Sequence, residues 1–475
     1  SQISHGREND LRIEIDGTSS SVGITLDAPS SIVRGMVINR ASNQGLQIGG
    51  SAAGSLIEGS LFGLDYAGAA ISANGIYSVI VLAPSVTIGG AAPAARNVIS
   101  GAGSASLYIT GASNSVVRGN YIGTDAAGAT DRSNSCYGLH LYGTSSLTVG
   151  GTGAGEGNVI SGANCSGTYL QNSSGTLIQG NQFGTTASGL AAVPNGQGIQ
   201  SYLSSSFTIG GTAAGAGNLI SGNSSQGVYA QNSNAFVMQG NRIGTQPDGI
   251  TALPNAYGIY LSSSPATVGG VAAGAGNIVA HNLQDGVAVS SGTGTKIRGN
   301  SLFGNGHLGI DLADNGRSPN DLADSDAGAN LTQNFPVLVS ASIDGFGDLQ
   351  VTYSVSSDPG NQAYPLTVDF YEADLLGQGQ VYLGSNSYSA VDYGVGNKTV
   401  NLGNAAGLGV ASPEPLVSVA TDNNANSSEF SDARLVGVPG ATSFVVNTTN
   451  DGNDGVCNPA HCSLREAIYY SNLNS

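Results

Sequence analysis

Charge is what this 475-residue chain has least of: Asp, Glu, Lys and Arg together make up 9% of it, against roughly 25% in ordinary globular proteins. Only two lysines occur, Lys296 and Lys398, and basic residues nowhere cluster. With a formal net charge of −17 at pH 7, the chain has little with which to neutralise phosphates. Nucleic acid and anionic membrane surfaces are therefore excluded as partners. No stretch approaches the ~20 apolar residues of a membrane-spanning helix. The first residues, Ser1-Gln2-Ile3-Ser4-His5, show no Met and no signal-peptide pattern, and read as a processed end or a cut from something longer. Cysteine is scarce too. Cys136, Cys165, Cys457 and Cys462 lack the CxxC spacing of zinc or redox sites, and an even count suits disulfides in an oxidising, extracellular compartment.

Helical periodicity is also missing, since no run of ten or more residues repeats every 3.6. What is abundant is Gly, at 73 residues, and 40% of the chain is hydrophobic. That apolar share, dealt out in short β-branched triplets, argues against disorder and for many short strands joined by tight turns.

The triplets belong to a repeat. Thr87-Ile88-Gly89-Gly90 recurs as Thr148-Val149-Gly150-Gly151, Thr208-Ile209-Gly210-Gly211 and Thr267-Val268-Gly269-Gly270, at spacings of 61, 60 and 59 residues. Between them stand Gly119-Asn120-Tyr121-Ile122-Gly123-Thr124, Gly180-Asn181-Gln182-Phe183-Gly184-Thr185 and Gly240-Asn241-Arg242-Ile243-Gly244-Thr245. Their tails, such as Ala192-Val193-Pro194-Asn195, are polar and broken by Pro, as loops are. Each period divides into two similar halves of about three apolar runs, which is one turn of a three-sided solenoid per half. The expected fold is all-β: about ten parallel coils between residues 11 and 316, in a domain covering residues 1–332. Asn120, Asn181, Asn241 and Asn300 recur at every second coil, where their amides suit a turn ladder. Cys136 and Cys165 open successive half-periods, so they stand at the same place in adjacent coils. A strand spacing near 4.8 Å lies inside the Cα range of a disulfide, which predicts a Cys136–Cys165 staple.

The repeat resembles that of bacterial right-handed parallel β-helix proteins. At the other end, Phe444-Val445-Val446-Asn447-Thr448-Thr449-Asn450-Asp451, Cys457 and Cys462-Ser463-Leu464-Arg465-Glu466-Ala467-Ile468 resemble the CSLREA domain of the same proteins. In that family the segment precedes the β-helix, and here it follows it. Between the two, residues 333–440 lose the repeat. Residues 349–355 and 366–371 alternate as antiparallel strands, and residues 417–422 with 426–431 resemble the end of a bacterial immunoglobulin-like module. An eight-or-so-strand sandwich is expected there.

Enzymes built on β-helices need paired carboxylates, or a carboxylate–calcium site with a basic residue, on adjacent coils. The acids here are sparse. Asp65 and Asp125 match in the repeat, but Thr186 and Gln246 hold the next equivalents. Arg118 and Arg298 match with Gln179 and Gln239 between them, and the five histidines are scattered. The expectation is a protein with no catalytic residues that is not an enzyme. No cofactor is required. Calcium is a structural candidate at Asp321, Asp324 and Asp326, and again at Asp451 and Asp454, where oxygen ligands stand at close spacing without the EF-hand pattern. A first coil beginning at Leu11, Ile13 and Ile15 with no cap, and a cap-like segment at 441–475, together suggest a head-to-tail homopolymer. Phe444, Val445 and Val446 would add a strand to a neighbour's first coil, and Leu464, Ala467 and Ile468 would form the apolar face of a short helix. The functional expectation is a secreted filament subunit of a bacterial surface serving adhesion or biofilm, with matrix polysaccharide as a further partner. The alternatives are a polysaccharide lyase or glycosidase, or a monomeric glycan-binding adhesin.

Overall fold

The structure, a computed structural model, describes residues 2–3, 12–132, 136–437 and 464–465. It divides into two compact units, residues 1–288 and 289–475.

The first unit is a parallel β-helix. Each coil lays one strand on each of three parallel sheets. Sheet 3 begins at Val22–Leu26 and continues in this unit to Tyr257–Ser262. Sheet 2 runs from Ile32–Arg34 to Ala266–Gly269, and sheet 1 from Arg12–Asp16 to Ile278–Ala280. A representative coil is Tyr137–Tyr142, Thr148–Gly150 and Val159–Ile160, after which Ser166–Gln171 pairs in parallel with Tyr137–Tyr142. The β-branched and leucine residues of each triplet point inward, because a strand alternates its faces. Leu139, Leu141, Val149, Ile160, Leu170, Ile178 and Phe183 are all fully buried, each worth about 1.5–3 kcal/mol relative to exposure.

The corners explain the repeat's polar letters. Asn97, Asn120, Asn158, Asn181, Asn218, Asn241 and Asn277 stack in a buried column, each Nδ2 donating to the next Oδ1 at 2.8–3.1 Å. The expected ladder thus exists, and the Asn that opens each Asn-apolar-apolar step fills the alternate coils. A second ladder joins Asn195, Asn223, Asn255 and Asn282 at another corner. The third corner is held by hydroxyls: Ser173, Ser204 and Ser233 each accept the backbone N–H of the preceding coil's Thr144, Ser173 and Ser204 at 3.1–3.2 Å. Gly150 shows why the motif carries glycine. Its φ is 85°, and a Cβ there would collide with Gln179 O and Asn181 Oδ1, part of the ladder itself.

Every second coil projects a small hairpin, closed by pairing Leu64 with Ile71, Thr124 with Asp131, Thr185 with Ala192 and Thr245 with Ala252. Cys136 and Cys165 form the disulfide expected between adjacent coils, with a Cα–Cα distance of 4.5 Å.

The second unit begins with short strands, Lys296–Arg298, Ser301–Phe303 and Ile310–Leu312, and continues into a mixed seven-stranded sheet. In spatial order its strands are Gly379–Tyr388, Leu366–Ala373, Pro415–Thr421, Arg434–Gly437, Val337–Ile343, Asp348–Ser354 and Lys398–Asn404. The pairing is antiparallel except between Val337–Ile343 and Arg434–Gly437, which run parallel because the last strand links two antiparallel halves. Tyr353, Phe370, Tyr388, Leu349 and Val351 fill its core. Specific polar bonds fasten this sheet to the strands before it. Arg298 makes two 2.6 Å bonds to Asp369, and Gly299 N donates to Tyr371 Oη at 2.8 Å. Burial raises the Asp369 pKa, while the Arg298 charge acts to lower it. Glu429 accepts the backbone N–H groups of Leu312 and Ser318, both at 3.0 Å.

Candidate functional site

Three acids of the coils do turn work. Asp65 accepts the N–H groups of Ala69 and Ala70, Asp125 those of Ala129 and Thr130, and Asp248 those of Ile250 and Thr251, each inside a projecting hairpin. Burial acts to raise the Asp125 pKa but the Ala129 and Thr130 bonds bring it below the usual carboxylate value, and Asp248 is lowered first by the Thr251 hydroxyl and then by its N–H bonds. Arg118 is paired with Glu156 at 2.9 Å. Among the described residues, no two of Asp65, Asp125 and Asp248 lie on adjacent coils as a carboxylate pair would.

The feature that sequence reasoning missed is the outer surface of sheet 3. Its outward side chains stack in register from coil to coil. One column reads Tyr108, His140, Tyr169, Gln200, Tyr229 and Tyr260. The column beside it reads Thr110, Tyr142, Gln171, Tyr202, Gln231 and Ser262. A third begins Tyr77, Ala105, Tyr137, Ser166 and Gln197. No residue in these columns is acidic, lysine or arginine.

The rings touch. Tyr77 stacks on Tyr108 with centroids 4.7 Å apart, and His140 lies 5.0 Å from Tyr108, 4.9 Å from Tyr137 and 5.0 Å from Tyr169. Tyr137 and Tyr169 stack at 5.1 Å. Farther along, Tyr260 meets Tyr229 at 5.7 Å and Tyr257 at 5.4 Å. Between the two platforms lies an amide section. Ser166 Oγ donates to Gln197 Oε1 and Gln200 Oε1 at 3.1 and 2.7 Å, and Gln197 Nε2 donates to Gln226 Oε1 at 3.1 Å.

The face is therefore amphipathic without being charged: ring surfaces flanked by amide and hydroxyl groups that both donate and accept. Burial pushes the phenols of Tyr77 and Tyr169 up, so they stay protonated. Burial also lowers the His140 pKa, against a raising contribution from its 3.2 Å contact with Gln171 Oε1. A neutral imidazole ringed by phenols is an acid–base group as well as a surface. The signal is present in sequence as the steps Gly138-Leu139-His140, Gly167-Thr168-Tyr169 and Gly258-Ile259-Tyr260, but it reads only when the coils are stacked.

The other expected sites divide. Asp321, Asp324 and Asp326 are brought together, with carboxylate oxygens within 4.8 Å of one another. Ile13 and Ile15 lie on the strand Arg12–Asp16, which pairs in parallel with Met36–Asn39 and antiparallel with Gln2–Ile3. Leu464 is 61% exposed. Leu11, Phe444, Val445, Val446, Asp451, Asp454, Cys457, Cys462, Ala467 and Ile468 lie outside the described residues.

A family model described as the right handed beta helix region matches residues 155–325. No curated protein matches the sequence. Among solved structures, the chain is similar to the full-length tailspike protein 2 of an Escherichia coli O157:H7 bacteriophage, at 12% identity and a TM-score of 0.32 over 86% of this chain and 57% of that one. The present chain thus spans little more than half of that protein. It is also similar to the enzymatically active domain of tailspike protein 2 from bacteriophage CBA120, at 11% identity and a TM-score of 0.38 over 90% and 67% of the two chains. The A-module of the Azotobacter vinelandii mannuronan C-5 epimerase AlgE4 is similar at 16% identity and a TM-score of 0.33, over 63% and 75%. The likeness is one of fold. With an enzymatically active domain and an epimerase among these structures, the expectation that the chain is not an enzyme is withdrawn. That expectation set His140 aside as one of five scattered histidines and left out the phenols around it. No described helix is long and apolar enough to cross a membrane.

Proposed function

We propose that this chain is an extracellular, carbohydrate-active β-helix protein whose sheet 3 face holds an uncharged glycan. The observation that carries this reading is the row of rings and amides from Tyr77 to Tyr260, unbroken by charge. The outward edges of the stacked rings lie against pyranose rings, and Gln, Ser and Tyr polar groups bond the hydroxyls, the usual combination of apolar surface with a few placed polar groups. The coil spacing of ~4.8 Å is close to the length of one sugar unit, so successive coils present successive subsites. The absence of Lys and Arg on the face, together with a net charge of −17, disfavours uronate or sulfated chains. His140 is the acid–base group placed to act on a bound chain. The Cys136–Cys165 disulfide supports an oxidising, extracellular setting. We read the mixed sheet of the second unit as an immunoglobulin-like module. Head-to-tail assembly is not carried into this reading, because its donor residues lie outside the described ones.

The test is incubation of the purified chain with a panel of neutral and acidic polysaccharides, read for retention, new reducing ends and unsaturated products. Retention by neutral members is expected, and any product formation should be lost in His140→Ala. Binding confined to acidic members would refute the reading.

A further inference from the structure

One side chain breaks the repeat on the sheet 1 side of the first unit. The residue before the ladder asparagine is Gly157, Gly217 and Gly276 in three periods, and Arg96 in the period before them. Glycine suits the usual turn, since a Cβ on Gly157 or Gly217 would fall 1.9 Å from Gly180 O or Gly240 O. The turn before Arg96 differs. It carries a short 3-10 turn at Pro93–Ala95 and leaves Arg96 at φ −64° and ψ 127°. Arg96 Nε then donates at 3.2 Å to Gly119 O, the oxygen that matches Gly180 O and Gly240 O in the repeat. Its guanidinium lies 4.1 Å from the centre of the Tyr121 ring, where later periods have Gln182 and Arg242. Departures from a local rule concentrate where a chain has work to do.

Arg96 and Tyr121 line a cleft of about 400 Å³, within the size range of small-molecule sites. The lining also includes the exposed turn 152–155 and the small side chain of Ala187. Among the described residues, no acid lines the cleft. Two acids of the flanking segments are committed elsewhere. Glu156 accepts Arg118 Nη1 at 2.9 Å and Gly153 N at 3.0 Å, and Glu58 pairs with Arg34. Arg96 therefore has no carboxylate partner among the described residues, and neither of its terminal nitrogens bonds to any of them. In a chain of net charge −17, an uncompensated cation set in a cleft is an exception.

We propose that the Arg96–Tyr121 cleft binds a small hydroxylated monocarboxylate. Tyr121 and Gly119 O hold the guanidinium in place, and its terminal nitrogens form a fork that matches the two oxygens of a carboxylate. One cation balances one negative charge. A phosphate monoester carries roughly two near neutral pH, and among the described residues no second cation lines the cleft. The net charge of −17 repels long polyanions, so the ligand is a single acid unit. Main-chain groups of the turn 152–155 and the Thr152 hydroxyl suit a ligand body that carries hydroxyls. The lining lacks the broad apolar area that an aromatic or fatty acid needs. The proposal is independent of the sheet 3 reading.

The experiment titrates the full chain by calorimetry with sodium gluconate and sodium glucuronate, with glucose and glucose 6-phosphate as the neutral and doubly charged controls. One site per chain is expected, with the tighter of the two acids bound at least tenfold better than either control. Arg96→Gln should melt within a few degrees of wild type and lose at least tenfold in affinity for that acid. If Arg96→Gln fails to fold, Arg96→Lys keeps the charge without the fork and should lose about threefold or more. Arg96→Gln should still retain neutral polysaccharide as the wild type does, and Tyr108→Ala/Tyr142→Ala should bind the acid as the wild type does. Those two results separate this cleft from the sheet 3 face. Neither acid bound better than glucose, glucose 6-phosphate bound best of the four, or unchanged affinity in the Arg96 variant overturns the proposal.

Discussion

Asn181 shows what one rung of the corner ladder does. It accepts Asn158 N at 3.0 Å and Asn158 Nδ2 at 2.8 Å, and its own Nδ2 donates to Val149 O, Gln179 O and Asn218 Oδ1. Replacing it by Ala leaves buried donors and acceptors of both neighbouring coils unpaired, each at about 1–3 kcal/mol. Asn181→Ala should therefore lower unfolding stability by about 2–4 kcal/mol in a urea titration, while Thr186→Ala, in a projecting hairpin, should change it by less than about 0.5 kcal/mol. The ladder is half legible in the sequence. The Gly-Asn steps announce every second rung, and the intervening rungs open the Asn-apolar-apolar runs, where they read as strand starts. The aromatic columns are illegible for a different reason. A single Tyr per half-period looks like scattered composition, and contact between rings exists only once neighbouring coils are in register. Spacing alone does not tell His140 from the other four histidines.

At the scale of elements, the coils and the disulfide follow from spacing alone, because a stacked strand fixes which residues of successive turns coincide. Cys136 and Cys165 are 29 residues apart, and the entropy of closing such a loop corresponds to about 3–4 kcal/mol. The Cys136→Ser/Cys165→Ser pair should lose stability of that order, measured against the oxidised wild type. The strands of the second unit are visible as alternating runs, but their order is not. The parallel pair between Val337–Ile343 and Arg434–Gly437 is a long-range choice that no local pattern encodes. Glu429 belongs to this scale. Burial is the main cause that pushes its pKa up to about 7 from a usual 4.5, with the N–H groups of Leu312 and Ser318 acting against it. An acid raised in the folded state binds more protons folded than unfolded between those values, so its contribution to stability falls as pH rises from about 4.5 to about 7. Glu429→Gln should flatten that part of the melting-temperature profile for the second unit. An undiminished slope in the variant would show that other groups carry the dependence.

At the scale of the molecule, a β-helix makes a repeated surface at low cost, because one register position recurs along the whole sheet. The corner beside sheet 1 uses that recurrence for the asparagine column, and sheet 3 uses it for rings. The class of fold is legible in the 60-residue repeat, whereas the working face is not. Acidic pairs are the expected mark of chemistry on such coils, yet Asp65 and Asp125 shape hairpins. A glycan lying along sheet 3 would contact rings on several coils, so loss of two neighbouring rings should weaken binding without unfolding the coils. The most direct test is the affinity of the purified chain for the neutral polysaccharide it retains best, compared with that of Tyr108→Ala/Tyr142→Ala, Tyr142 being an exposed ring. The account predicts a loss of at least tenfold, with the melting temperature of the first unit within a few degrees of wild type. Unchanged affinity in the double variant would contradict it.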